Sequence, residues 1–182
     1  MRKVAFLYPG QGSQKVGMGK SFLENYSLAR NIFQEANEIL GFNLEKICLE
    51  GPEEELVKTS NLQPALLTVS WIATCFLKEK GVFPQAVAGH SLGEYSALVA
   101  AGALDFEEAV VLVHKRGKYM QEAVPVGQGA MAALLGVDYQ TVRRALASIK
   151  SGVVEIANWN SQEQTVIAGH SQAVEEAIKQ VK

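Results

Sequence analysis

Two rhythms of apolar and polar positions run along this chain. Val4-Ala5-Phe6-Leu7-Tyr8 is a continuous apolar run cut off by Pro9-Gly10, which predicts a short buried strand. Helical periodicity follows over Ser27–Leu40, ending at Gly41, and over Leu62–Lys80, ending at Gly81. The short run Ala86-Val87-Ala88 leads into Gly89, and Leu92–Ala101 reads as a helix stopped by Gly102. Asp105-Phe106-Glu107-Glu108 has the form of a capping box and opens a helix reaching about Ala123. After Pro125 and Gly127 the texture changes. Strand Ala130–Val137, helix Tyr139–Lys150, strands Val153–Ala157 and Thr165–Ala168, and helix Gln172–Val181 are expected in that order. The alternation predicts an α/β protein with no internal repeat, divided into segments 1–124 and 125–182.

Between the first strand and the first helix lies a glycine-rich loop, Gly10-Gln11-Gly12-Ser13-Gln14, continuing through Gly17 and Gly19. A dinucleotide fingerprint would need glycine where Lys15 stands, and a phosphate loop would need lysine where Met18 follows Gly17. Both phosphate readings fail on spacing, leaving a flexible turn or a loop that offers backbone N–H groups at a sheet edge.

The pentapeptide Gly89-His90-Ser91-Leu92-Gly93 is sharper. An apolar run precedes it and a helix-compatible stretch follows, the context of a nucleophile elbow. Such a turn lifts the serine hydroxyl above the sheet edge, and its flanking glycines let neighbouring backbone pass closely. The N–H of Leu92 then points at a forming oxyanion, with the positive end of a helix dipole beneath. The alternative is an ordinary tight turn. Ser91 is the candidate nucleophile of acyl transfer.

At about 100° per residue, Phe106, Ala109, Val110, Leu112, Val113, Gly117, Tyr119 and Met120 form one broad apolar arc. Arg116 falls inside it, and a guanidinium there needs a partner. Two readings stay open on the helix alone: a structural salt bridge with a core carboxylate, or a site awaiting a substrate carboxylate.

Composition narrows the function classes. The 182 residues are 48% hydrophobic and 20% charged, with a formal net charge of −2, which gives no electrostatic footprint for nucleic acid or an anionic membrane. Cys48 and Cys75 lack metal or redox spacing and fit the thiols of a reducing compartment. Neither a signal-peptide core nor a membrane-length apolar run is present, so a cytoplasmic protein is expected. No cofactor and no metal are assigned.

Pro9-Gly10-Gln11-Gly12-Ser13-Gln14, Gln63-Pro64-Ala65, Gly89-His90-Ser91-Leu92-Gly93-Glu94 and Arg116-Gly117-Lys118-Tyr119-Met120-Gln121 occur in this order. Gly129-Ala130-Met131-Ala132 and Ala157-Asn158-Trp159-Asn160-Ser161 continue the series. The set resembles the successive motifs of malonyl-CoA:acyl carrier protein transacylases of the bacterial fatty-acid synthesis type, along the whole chain. The resemblance implies an α/β-hydrolase-like parallel-sheet domain with a ferredoxin-like small subdomain. It implies Ser91 as the acylated nucleophile, and Gln11 and Leu92 as the oxyanion hole. Arg116 becomes the residue that binds the malonyl carboxylate, which turns the choice between its two readings toward the substrate, and His90 and Met120 become candidates for lining the substrate site. The partners implied are malonyl-CoA and acyl carrier protein, in a ping-pong transfer through a malonyl-serine ester.

One departure stands out. The family supplies a basic histidine in a downstream motif, and the three histidines here do not match it. His90 should project away from the serine hydroxyl, His114 falls on the polar face of its helix, and His170 suits a loop or capping role. The chain covers roughly three-fifths of such an enzyme, and its second segment stops one strand short of β-α-β-β-α-β. Both domains are therefore expected to be incomplete, with a C-terminal complementary polypeptide or a continuation of the chain needed for stability and activity. A serine hydrolase or thioesterase, and a non-catalytic fragment that binds ligand or carrier protein, remain the alternatives.

Overall fold

The computed structural model describes residues 3–124 and 127–181; Pro125, placed at the predicted boundary, lies outside them. Two compact units emerge, dividing between Gln121 and Glu122 in the last turn of a helix.

In the first unit, β1 (Ala5–Tyr8) is followed by α1 (Lys20–Asn25), α2 (Leu28–Leu40), α3 (Leu44–Glu50), α4 (Glu53–Leu56) and α5 (Thr59–Glu79). Then come β2 (Ala86–Gly89), α6 (Gly93–Ala100) and α7 (Phe106–Ala123). β1 and β2 pair in parallel from Ala5 with Ala86 to Tyr8 with Gly89, so the two loops after them leave the same end of the sheet. The main core is helical, built on Phe33, Leu44, Leu62, Leu67, Ile72 and Val113. A smaller cluster of Phe6, Tyr8, Ala97 and Ala100 fixes α6 against the sheet.

Two expectations need correction here. β1 was expected to be buried, yet it is buried on one face only: Phe6 and Tyr8 point inward while Leu7 is 77% exposed. A continuous apolar run signals two covered faces, and the described residues cover only one of this strand's. The helices α1, α3 and α4 were not anticipated, because each is too short to establish a period. α3 does carry a local signal, since the Asn43 side chain accepts from Lys46 N at its N-terminus.

α5 begins earlier than its periodicity predicts and carries Pro64 in its interior. A proline there cannot donate to the carbonyl four residues before it. That carbonyl, Ser60 O, instead accepts from His114 Nδ1 at 2.8 Å. His114 was expected on the surface; it is half-buried and packs against Phe42. One residue-turn away, Gly117 meets the same stretch of α5, where an added Cβ would lie 2.4 Å from Thr59 O. Proline, histidine and glycine together set α7 tightly against the first turns of α5.

The second unit contains β3 (Gly129–Leu135), α8 (Tyr139–Ser148), β4 (Val154–Ser161), β5 (Gln164–His170) and α9 (Ser171–Gln180). Its antiparallel sheet has the order β3-β5-β4, with the register of β4 shifting between Ile156 and Asn158. Leu134, Val142, Ile167, Val174 and Ala177 form a separate core under the two helices. The β-α-β-β-α order is the one read from the periodicity.

Candidate functional site

The turn from β2 into α6 holds Ser91 at φ 54°, the only positive φ of a non-glycine residue among the described residues. That conformation costs a side-chain-bearing residue about 1–2 kcal/mol, so the surroundings must enforce it. His90 N donates to Tyr8 O at 3.1 Å, and Gly93 N donates to His90 O at 2.9 Å. The flanking glycines are required by close approach: a Cβ on Gly89 would sit 2.0 Å from Gly93 backbone, and one on Gly93 would sit 2.2 Å from Tyr8 O. Leu92, only 1% exposed, plugs the turn into the helical core. The result is an exposed serine hydroxyl at the N-terminus of α6.

The loop after β1 passes against this turn. A Cβ on Gly10 would lie 2.6 Å from His90 O, so Gly10 allows the contact, and Ser13 Oγ donates back to Gly10 O at 2.8 Å. Gln11 follows directly and is exposed. The sequence-predicted residues Gln11, His90, Ser91 and Leu92 thus gather at one end of the parallel sheet.

Arg116 reaches the same place from α7. Its Nη2 donates to Ser91 Oγ at 3.2 Å, its Nη1 donates to Gln63 Oε1 at 2.7 Å, and its guanidinium lies 5.7 Å from the centre of the Tyr95 ring. The ion pairs among the described residues, Arg30–Glu45, Lys58–Glu55 and Lys80–Glu79, leave it out. The core carboxylate that the helix pattern suggested is therefore replaced by an amide. Met120, one turn on, accepts from Gln63 Nε2 through its sulfur at 3.2 Å. Three members of the predicted apolar arc are instead open to solvent: Leu112, Tyr119 and Met120 are 45%, 66% and 43% exposed. The arc is wider than the stripe that α5 and its neighbours cover.

The sequence gives Gln63 a place in a motif but no role. Its signal was visible: a single amide inside the run Leu62–Thr68, all of which is buried. His170 sits at the N-cap position of α9, as its predicted capping role suggests, but makes no side-chain cap bond there. Its Nδ1 accepts instead from Val153 N at 3.3 Å. His114 is committed to Ser60.

Chemically, the arrangement presents a serine hydroxyl to solvent beside a fixed cation that no carboxylate among the described residues neutralises. It suits attack on an acyl carbon whose substituent carries negative charge.

The acyl transferase domain family matches residues 5–182. The malonyl CoA-acyl carrier protein transacylase of Bacillus subtilis (strain 168) is 50% identical over 184 residues, spanning 100% of this chain and 58% of the relative. The Escherichia coli (strain K12) protein of the same name is 50% identical over 179 residues, 97% of this chain and 58% of the relative. Among solved structures, the malonyl CoA-acyl carrier protein transacylase of Coxiella burnetii superposes with a TM-score of 0.95 at 46% identity, covering 99% of this chain and 58% of that one. A malonyl-transacylase in complex with its type II PKS acyl-carrier protein superposes at 0.94 with 45% identity, covering 99% and 59%. The chain spans a little under three-fifths of the length of these relatives, and by the family match together with the acyltransferase fold of these neighbours, it belongs to the acyl transferase domain family.

Proposed function

We propose that this chain carries the nucleophile-bearing part of a malonyl-CoA:acyl carrier protein transacylase. The observation that carries the reading is the guanidinium of Arg116 at 3.2 Å from Ser91 Oγ. A hydrolase of uncharged acyl groups has no use for a cation at its nucleophile; an enzyme handling a malonyl group does.

In this reading Ser91 Oγ attacks the thioester carbon of malonyl-CoA, and the backbone N–H groups of Gln11 and Leu92 stabilise the oxyanion. The Oγ–C bond forms first, and collapse of the tetrahedral oxyanion then breaks the C–S bond. The serine proton passes to a base and then to the departing CoA thiolate, leaving a malonyl-serine ester. The phosphopantetheine thiol of acyl carrier protein then attacks that ester, its C–Oγ bond breaks, and Ser91 recovers a proton. Arg116 holds the free carboxylate throughout, with His90 and Met120 beside it. An uncharged acetyl group would leave that cation unpaired.

The base, and the remainder of both sheets, are assigned to a C-terminal portion: a continuation of the chain or a complementary polypeptide. Residues 1–124 then form the N-terminal part of the large acyltransferase domain, and 125–182 a partial ferredoxin-like subdomain. Exposed backbone edges support this. Among the described residues β1 pairs only with β2, and its other side borders an open groove of about 460 Å³ lined by Leu7, Leu66, Val69 and Leu77. β3 likewise pairs only with β5 and borders a groove of about 370 Å³ lined by Leu135, Val137 and Ile178. Unpaired strand edges beside apolar walls are sites that proteins cover. No helix among the described residues is long and apolar enough to cross a membrane; a cytoplasmic setting remains part of the proposal.

Intact-mass measurement after mixing with malonyl-CoA tests the reading with the C-terminal portion present. A malonyl ester that vanishes in Ser91→Ala is expected. Rapid release of free malonate would favour a hydrolase, and absence of any ester would overturn the transferase.

A further inference from the structure

Gln63 is 0% exposed and sits in α5 between Leu62 and Pro64, themselves buried. A buried amide must satisfy both its ends. Here the carbonyl end accepts from Arg116 Nη1 at 2.7 Å and the amino end donates to Met120 Sδ at 3.2 Å. The orientation is dictated by chemistry, because a guanidinium only donates and would repel the amino end. The clamp is set by the same packing that joins α7 to α5 through His114 and Gly117.

The choice of an amide has an electrostatic consequence. A carboxylate in this position would bind the guanidinium more tightly through charge-assisted hydrogen bonds. It would also cancel the arginine's charge. Gln63 fixes the group's direction while leaving its charge intact, and no ion pair among the described residues supplies the missing anion. The other contacts of the guanidinium, Ser91 Oγ and the face of Tyr95, are also uncharged.

We propose that Gln63 is a specificity-determining positioning residue: a neutral, buried clamp that aims Arg116 at the acyl group on Ser91 and reserves its charge for that group's carboxylate. This rests on the reading of Arg116 given above. It makes the preference for a carboxylate-bearing acyl chain a property of the pair Gln63–Arg116 and not of Arg116 alone.

The experiment compares malonyl-CoA with acetyl-CoA as donors, using the chain together with its C-terminal portion, and measures the initial rate of ester formation on Ser91 by mass. Gln63→Glu is expected to lower malonyl loading by about tenfold or more, as an internal ion pair replaces the substrate's, while acetyl loading stays within about twofold. Gln63→Leu keeps the volume, removes the clamp without adding charge, and is expected to cost malonyl loading about threefold with acetyl loading unchanged. Thermal unfolding reports whether each variant folds; if the glutamate does not, the leucine variant decides. Equal losses for both donors would reduce Gln63 to a structural residue and overturn the proposal. So would a malonyl-to-acetyl loading ratio that is unchanged in the folded variants. If the unmodified protein forms no Ser91 ester, or shows no malonyl preference, the proposed activity or its assignment to Arg116 fails first, and this inference falls with it.

Discussion

The site is assembled from two regions built by different means. The elbow around Ser91 is local: five consecutive residues, with backbone hydrogen bonds and two glycines forcing one conformation. The clamp around Arg116 is long-range: residues 53 positions apart meet because α7 lies close against α5. An elbow of this kind is strained by itself and held by its neighbours; a clamp is unstrained but depends on every contact that docks its helix. The first fixes where the proposed nucleophile is. The second fixes what charge it faces, and small changes in helix packing can retune it without moving the serine.

Substitutions can separate the two. The largest effect is expected from Gly93→Ala, whose Cβ would stand 2.2 Å from Tyr8 O. Neither backbone can give way without parting β1 from α6, so a loss of about 3 kcal/mol or more is expected in denaturant unfolding, measured here and below with the proposed C-terminal portion present. Gly117→Ala attacks the other half, with its Cβ 2.4 Å from Thr59 O. It should cost about 2 kcal/mol, because α7 can shift outward. That shift should pull Arg116 from Gln63 and weaken malonyl over acetyl loading, which Gly93→Ala has no reason to do selectively.

His114→Ala is milder. It leaves Ser60 O without its donor at the break made by Pro64, and a loss of about 1 kcal/mol is expected. Ser91→Gly is smaller still and of opposite sign. Relief of the positive φ should make it about 0.5–1 kcal/mol more stable than Ser91→Ala, with neither forming an ester. Equal stability of the two would contradict a strained elbow.

The smallest effect concerns the start of α7. Burial raises the Glu35 carboxyl to about 7, helped by its hydrogen bond with Glu107 and by the charges of Glu107 and Glu38. Glu107 is lowered chiefly by a backbone hydrogen bond, and further by Glu35. Between the ordinary value of 4.5 and about 7 the folded chain therefore binds more protons at Glu35 than the unfolded one. Its contribution is present at the acidic end and declines as pH rises through that window. Glu35→Gln should flatten the fall in thermal stability between pH 5 and pH 7.5, measured as the difference from the unmodified chain. An unchanged slope would contradict a shared proton.

The same division explains what the sequence discloses. The elbow is legible because its cause is local: glycine, serine and glycine at fixed spacing between a strand and a helix. Arg116 was noticed because a charge stood on an apolar arc, yet the arc could not say that its partner would be an amide from another helix. The role of Gln63 is hidden for the same reason, since periodicity reports that a position is buried and not what it meets. The burial of His114 is hidden because the carbonyl it satisfies is freed by Pro64, a relation invisible along a single helix. Leu7 shows the converse limit: an apolar run announces a strand covered on both faces, while the described residues cover only one face of this one.

The most direct measurement of the central claim is a competition. Malonyl-CoA and acetyl-CoA are offered together to the chain with its C-terminal portion, and the two esters on Ser91 are counted in the unmodified protein and in Arg116→Ala. The account predicts a strong malonyl excess that collapses in the variant, with acetyl ester undiminished. Ester on another residue, or a malonyl excess untouched by the loss of Arg116, would contradict it.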